Sequence, residues 1–357
     1  MPNASPERGL TCWLLDTRPL WPGTKIAEAV RPAPEALSLI SPSERQTCLR
    51  KYHIADAKMS LASALLKRLF IHLTLSIPWS SITLGRKRDP THGKPCALIA
   101  SGTSSAPAPV EFNVSHQAGL VVLVGCRTDI LDVDLGVDIV CVNERGGDLS
   151  MIDAEGWEAW VNMYAELFSP EESFDMKFNC DAFPLNDGTL ITPDILGRHD
   201  RVCARGEALS VTLPNGQTRT FDSDLVIDAK LRRFYVFWAY KEAYIKLDGE
   251  ALLANWIPQL EFKGVRAPRP GTPARCSTHG VWGERVGDTA VWFRHELLPD
   301  TRMEVCAFEE NYMIGVAAKD RGWLGGVGRE GGLPEVLTGF VGLHLESDVL
   351  EVARRGG

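Results

Sequence analysis

A mixed α/β (α+β) fold is what this sequence predicts, and three observations carry the expectation. Leu61, Leu65 and Leu69 recur every four residues with Ala62 and Leu66 beside them, an apolar stripe of helical period. Two valine-rich runs, 120–126 and 135–142, are short and read as buried strands. A second long helical pattern, through about 231–247, is again followed by strand patterns, so both halves share a helix-then-strands order. Self-similarity between them is too weak to prove a duplication.

Taken in order, CWLLDT at 12–17 reads as a strand followed by a Pro-rich loop. Residues 27–40 give a mixed signal, interrupted by Pro32 and Pro34. Pro42 precedes SERQTCLRKY, a helix that Ser43 is placed to cap. Asp56 then opens the striped helix, which Pro78 closes. Residues 112–115 form a short extended or loop segment. The runs 120–126 and 135–142 are joined by a short polar connection with Arg127, Asp129, Asp132 and Asp134. That spacing is hairpin-like, although the pattern alone does not prove antiparallel pairing. Residues 151–168 look helical, anchored by Trp157, Trp160, Tyr164 and Phe168. Pro, Gly and Asp turns fill 180–215, an insertion or elaborated loop. Beyond Gly249 the strand candidates are 260–262, 289–294, 302–308 and 312–317, with a Pro/Gly-rich loop at 264–283. Six glycines between 322 and 332 leave little for a core, and the leucines and valines after Leu333 suit a short terminal helix.

The 357 residues are 45% hydrophobic and 24% charged, which supports a sizeable core in two domains or one large double unit and excludes a disordered tail protein. Lys plus Arg is 38 against 46 Asp plus Glu, a net charge of -8 that weakens a nucleic-acid or anionic-membrane reading. Nine scattered cysteines with no CxxC pair suit inert thiols in a reducing compartment. The start lacks a secretory signal, and apolar stretches such as 119–126 are far too short to span a bilayer. The expectation is a soluble, cytoplasmic protein.

Four features carry chemistry. Asp138 in GVDIV sits inside an apolar strand, where a buried carboxylate must be paired, protonated or bound to metal. The plainer reading is a strand-end aspartate facing solvent. In WAYKEAYIK, Trp238, Glu242 and Lys246 share a helix face, with Lys241 in another sector. A surface Glu–Lys pair is the plainer reading, against which stand Phe234, Tyr235 and Trp238, marks of a partly buried helix. A glutamate among lysines there suits Mg²⁺ with a lysine meeting phosphate. In FNVSHQAG, Ser115 and His116 are adjacent and lack the GxSxG elbow of a hydrolase, so a phosphate-gripping turn competes with a capping or core histidine. Finally Arg45, Arg50, Lys51, Lys58 and then Arg86, Lys87, Arg88 and Lys94 concentrate positive charge, as a solvated face or as a docking patch for a phosphorylated cofactor or acidic protein. No dinucleotide-binding glycine loop, Walker A sequence, HExxH or EF-hand loop is present.

The order FNVSHQ, GVDI, WAYKEAYIK resembles the 4'-phosphopantetheinyl transferases, in particular the large monomeric broad-specificity type and most closely its fungal members. The resemblance covers about residues 10–317. It implies a pseudo-twofold fold of two similar halves, each with a small antiparallel-rich sheet packed on a long helix. The halves would be 1–135, with the basic and FNVSH segments, and 136–320, with the GVDI strand and WAYKEAYIK helix. Residues 321–357 remain as a glycine-rich tail. Coenzyme A would lie between the halves.

The activity implied is that of a holo-carrier-protein synthase, which moves 4'-phosphopantetheine from coenzyme A to a serine of an apo carrier and releases adenosine 3',5'-bisphosphate. Asp138 and Glu242 match the Mg²⁺ ligands, Glu242 also the general base. Lys241 and Lys246 match the motif lysines, Lys246 near the leaving group. Ser115 and His116 match cofactor-phosphate contacts, His116 being counted with Glu242 and Lys246 among the catalytic residues as well, and Gly93, Lys94 and Pro95 the GKP segment near the adenine. Arg50, Lys51 and Arg86 are further candidates for the cofactor. Where many bacterial members carry a second acid, this chain has Val140, so water is expected to complete the Mg²⁺ shell. Partners implied are acyl and peptidyl carrier domains of fatty-acid, polyketide and nonribosomal peptide synthases, and of aminoadipate reductase in lysine biosynthesis, with no nucleic acid and no membrane. The competing functions are a Mg²⁺-dependent hydrolase of nucleotide diphosphates and a non-catalytic coenzyme A binding protein. Retention of both Asp138 and Glu242 argues against the latter.

Overall fold

A computed structural model of the chain describes residues 9–29, 33–87, 93–101, 104–144, 146–249, 254–271, 280–322 and 332–356. Arg88, Cys276 and most of the glycine-rich stretch lie outside them. The first half contains β1 (Leu10–Asp16), α1 (Ala33–Ser38), α2 (Pro42–Leu49), α3 (Ile54–Leu75), β2 (Thr83–Arg86), β3 (Pro95–Ser101), β4 (Ser104–Pro107), β5 (Val110–Gln117) and β6 (Leu120–Arg127). Then follow β7 (Val133–Cys141), α4 (Gly147–Glu155), α5 (Trp157–Asn162), α6 (Pro170–Phe178), β8 (Phe183–Pro184), β9 (Leu190–Ile191), β10 (Ala208–Thr212), β11 (Thr218–Asp222) and α7 (Asp224–Asp248). The chain continues through β12 (Leu260–Lys263), β13 (Trp282–Val286), β14 (Ala290–Phe293), β15 (Glu296–Leu297), β16 (Thr301–Phe308), β17 (Tyr312–Asp320), β18 (Val341–Leu343) and α8 (Glu351–Arg355).

Two four-stranded sheets, ordered β18-β1-β6-β5 and β13-β16-β17-β7, stack through an apolar layer that includes Leu14, Val122, Val124, Val137, Ile139, Ile314 and Val316. Helix α3 covers the outer face of the first sheet, burying Leu61, Leu65, Leu69 and Phe70 against Trp13, Leu15, Phe112 and Leu123. Helix α7 covers the outer face of the second. The result is helix, sheet, sheet, helix, with sheet pairings antiparallel apart from β1 with β18. Gly136 lets β7 approach α7, since a Cβ there would sit 1.9 Å from the Ala243 carbonyl oxygen.

Several sequence expectations change. The runs 120–126 and 135–142 do not form a hairpin: β6 pairs with β1 and β5, β7 pairs with β17, and the two face one another across the core between the sheets. Both alternate sets of side chains are therefore buried, so apolar runs carried no sign of which strand was the neighbour. Residues 112–115 belong to the eight-residue strand β5, and Ser115 and His116 lie in it rather than in a turn. The turn comes at Ala118 and Gly119, both at positive φ, as a two-residue hairpin requires. The expected helix over 151–168 is broken by Gly156 at φ 84°. Ser41, not Ser43, caps α2, in a reciprocal capping box with Glu44. Residues 180–222 build β8 to β11 around a small core of Phe183, Ile191, Leu209, Val211 and Phe221.

The segment after the glycines is not loose. Glu304 of β16 accepts from the backbone N–H groups of Leu337 and Thr338, β18 then pairs with β1, and Leu345, Val349, Leu350 and Ala353 join the α3 core.

Candidate active site

Strands β5 and β7 are edge strands of their respective sheets and run beside one another, and the C-terminal part of α7 lies over the seam. Alternation along β5 sends Val110, Phe112 and Val114 into the α3 core and leaves Glu111, Asn113 and Ser115 facing the seam. On β7, Val133, Leu135, Val137 and Ile139 enter the layer between the sheets, which turns Asp138 towards α7. Asp138 is buried, and its Oδ1 accepts from Ser115 Oγ at 2.8 Å and Lys246 Nζ at 2.5 Å. Lys246 also donates to Ser115 Oγ at 2.9 Å, while Asn113 Nδ2 donates to the Lys246 carbonyl at 3.3 Å. An aspartate in an apolar strand is thus matched by a hydroxyl and an ammonium from the other elements.

Glu242 lies one helical turn before Lys246, half-buried, and its carboxylate makes no hydrogen bond among the described residues. Desolvation first, and the neighbouring Asp138 charge second, push its pKa up to about 7 against the opposing pull of Lys246. An unsatisfied carboxylate crowded by a second one is an arrangement a divalent cation relieves. Among the described residues no cluster of three or more metal-ligating side chains exists, and Val140, on the same face as Asp138, is packed into the α7 core. Two protein carboxylates therefore suit Mg²⁺, which commonly keeps water in its remaining positions.

His116 points to the other face of β5 from Ser115 and is exposed. Its pKa is lowered, by desolvation first and then by the Lys246 and Lys51 charges. Beside it the Ala118–Gly119 turn forms one wall of a cavity of about 630 Å³, closed by His53, Asp56 and Lys58 at the start of α3 and by Glu144. Gly119 is required there twice: its φ is 87°, and a Cβ would meet Arg18 Cγ at 2.4 Å. Thr17 Oγ1 donates to its carbonyl at 2.7 Å, and Tyr312 Oη donates to the Ala118 carbonyl at 2.8 Å. Arg50 and Lys51, just before α3, are exposed. Arg86 is exposed and donates to the Gly93 carbonyl at 2.7 Å, and Pro95 opens β3 opposite it.

Two lysines are not brought to this group. Lys94 is buried, donating to the Leu135 carbonyl at 2.5 Å and ion-paired with Glu111. Burial lowers its pKa, although Glu111 opposes the shift. Lys241 is buried on the far side of α7, 2.8 Å from Glu172 and donating to the carbonyls of Ile257 and Leu260. Its ammonium serves the core of the second half.

Sequence reasoning named Lys87 and Lys94 but missed Glu111, which pairs with them, and Arg321. Glu111 is buried on the seam and pairs with Lys87 at 2.5 Å, Lys94, and Arg321 at 3.2 Å. The signal was present: EFNVSH places Glu111 in phase with Ser115, on the face that leaves the apolar core.

Comparison with known proteins bears on this geometry. A family model described as "4'-phosphopantetheinyl transferase, N-terminal" matches residues 32–128. The chain is 52% identical over 349 residues to a 4'-phosphopantetheinyl transferase of Aureobasidium melanogenum, covering 97% of this chain and 98% of that protein. It is 34% identical to 4'-phosphopantetheinyl transferase A of Aspergillus fumigatus, covering 90% and 87%. A more distant similarity, 29% over 44% of this chain and 55% of the other, is to the L-aminoadipate-semialdehyde dehydrogenase-phosphopantetheinyl transferase of Schizosaccharomyces pombe.

Proposed function

Because the chain belongs to the 4'-phosphopantetheinyl transferases, enzymes that move phosphopantetheine from coenzyme A to carrier proteins, we propose that the Ser115–Asp138–Glu242–Lys246 group is where it does so. The observation that carries this reading is the hydrogen-bonded triangle of Asp138, Ser115 and Lys246 beside the unsatisfied Glu242 carboxylate.

In the transfer, the acceptor serine oxygen bonds to the phosphorus bearing the pantetheine arm. The P–O bond to the nucleotide breaks, and adenosine 3',5'-bisphosphate departs with the electron pair. Glu242 is the proposed acceptor of the serine proton; its raised pKa belongs to the metal-free site, and a bound cation would lower it. Mg²⁺ held by Asp138 and Glu242 would supply neutralising charge for the diphosphate. Ser115 fixes the Asp138 carboxylate, and Lys246 sets a positive charge where negative charge grows on the leaving group. His116, Arg50, Lys51 and Arg86, all exposed, are the proposed cofactor-phosphate contacts, with Gly93 and Pro95 supplying backbone beside Arg86.

Acyl and peptidyl carrier domains are the proposed acceptors, including that of an aminoadipate reductase, which the name of the fission-yeast relative supports. A cytoplasmic place of work is supported by free cysteines such as Cys12, Cys126 and Cys306. Among the described residues no helix is long and apolar enough to cross a membrane.

The test is intact-mass analysis of an apo carrier incubated with the protein, coenzyme A and Mg²⁺. A gain of about 340 Da, the mass of the transferred group, is expected with the wild-type chain and not with Glu242→Ala. Hydrolysed coenzyme A with unmodified carriers would overturn the reading.

A further inference from the structure

Strands β5 and β7 belong to different sheets, and among the described residues no backbone hydrogen bond joins them. The seam between them is held by side chains from one face of β5. At one end Gln117 Nε2 donates to Glu144 at 2.9 Å, and in the middle Ser115 meets Asp138 and Lys246. At the other end lies Glu111, only 1% exposed. Its carboxylate is ion-paired with Lys94, whose Nζ also donates to the Leu135 carbonyl of β7 at 2.5 Å. Arg321, just after β17, makes a second tie, 3.2 Å from Glu111 and 2.5 Å from Asp134 of β7. The Lys87 ammonium lies 2.5 Å from Glu111, and the Lys87 N–H donates to the Lys94 carbonyl at 2.8 Å, so the β2–β3 turn closes onto the same carboxylate. The stem of Lys94 also lies beside the end of α7, since a Cβ on Gly249 would sit 3.6 Å from the Lys94 Cβ.

We propose that Glu111 and Lys94, backed by Arg321, are positioning residues for the transfer site: they clamp β5 to β7 and so set the separation at which Ser115 meets Asp138. The proposal rests on the transfer reading above. Stability does not account for the buried pair. Desolvation of two buried charges offsets most of their attraction, and apolar side chains of similar volume often replace such pairs without loss. What an apolar pair lacks is a donor for the Leu135 carbonyl, and with it the tie across the seam. Both contact points lie close to the site on regular strands. Four residues of β5 separate Glu111 from Ser115, about 13 Å, and three of β7 separate Leu135 from Asp138, about 10 Å. Opening the seam by about 1 Å would stretch the 2.8 Å bond between Ser115 and Asp138 beyond hydrogen-bonding range.

The experiment compares wild type with the double variant Glu111→Leu, Lys94→Met, which removes both buried charges for side chains of similar size, and with Arg321→Gln. Steady-state transfer to an apo carrier domain is measured at saturating coenzyme A, per folded molecule, beside thermal unfolding. The expected result for the double variant is a kcat lowered about 10²-fold, the cost of a misplacement of about 1 Å, with the KM for the carrier and the melting temperature close to wild type. Arg321→Gln, which loses only the outer tie, should lower kcat by less. A folded double variant with the kcat of wild type, the result for a pair that serves stability alone, overturns the proposal and leaves the transfer reading intact. Should the double variant fail to fold, an unaltered kcat in Arg321→Gln overturns it instead. Absence of transfer by wild type on any carrier would defeat the transfer reading. Amide hydrogen exchange along β5 and β7 would still decide the clamp: faster exchange in the variants is expected, and unchanged exchange would overturn it.

Discussion

In the first half, Ser41 and Glu44 form a capping box ahead of α2, and Glu44 pairs with Arg68 of α3 at 2.7 Å. In the second, Ser169 and Glu172 form a capping box ahead of α6, and Glu172 pairs with Lys241 of α7 at 2.8 Å. Both boxes read Ser-Pro-x-Glu, and both deliver their glutamate to a buried cation on the long helix that covers a sheet. What repeats is architectural. What does not repeat is chemical: the second half alone adds Asp138 on its edge strand and Glu242 with Lys246 one turn apart. The first half answers with Ser115 and the basic rim. The comparison explains why two lysines of one motif part company, since Lys241 is the positional counterpart of Arg68 and Lys246 has none.

The largest effect should come from the unrepeated residues. Asp138→Asn or Glu242→Gln is expected to lower the transfer rate by about 10²–10³-fold with little loss of stability, read as the rate of mass gain on the carrier. Next is Lys241→Met, which strands the buried Glu172 carboxylate and should cost about 3–5 kcal/mol in urea unfolding; Lys246→Met should lose activity at a smaller cost in stability, because Ser115 still donates to Asp138. If Lys241→Met unfolds normally and fails only in cofactor binding, the parallel with Arg68 is broken.

A smaller effect, about 1–3 kcal/mol, is expected for Gly136→Ala, whose added Cβ meets α7 backbone. Gly125→Ala in the first half meets the Phe70 ring instead and should cost less, because a side chain can yield where backbone cannot. A further effect is a pH dependence. Glu242 rises from its ordinary 4.5 to about 7 on folding, so the fold favours its protonated form. The stability this gives is fully present below about 4.5 and is lost as pH rises through about 7. Thermal unfolding of metal-free protein should show that decline, and Glu242→Gln should flatten it. An unaltered slope would remove the crowding of Glu242 by Asp138 from the account.

Much of this was legible in the sequence because period and burial agree. The stripe of Leu61, Leu65 and Leu69 became the buried face of α3, and the patterns at 302–308 and 312–317 became β16 and β17. Ser115, Asp138 and Lys246, more than a hundred residues apart at the extremes, do meet, and Glu242 lies within electrostatic reach of Asp138. Strand partnership was not legible, since β6 and β7 are buried on both faces. Nor was the fate of Lys241: α7 buries residues around most of its circumference, so a helical face could not say which lysine met solvent. The repeated Ser-Pro-x-Glu, followed in each half by a long helix with a buried cation, was the available clue.

The pairing of β18 with β1 sets an order of events during synthesis. Strand β1 leaves the ribosome more than 300 residues ahead of one of its two neighbours, Val341–Leu343, and of the leucines that complete the α3 core. Until then β1 presents an open sheet edge, the kind of surface on which nascent chains associate wrongly. The two halves therefore cannot mature one after the other, and the first to be made is the last to be finished.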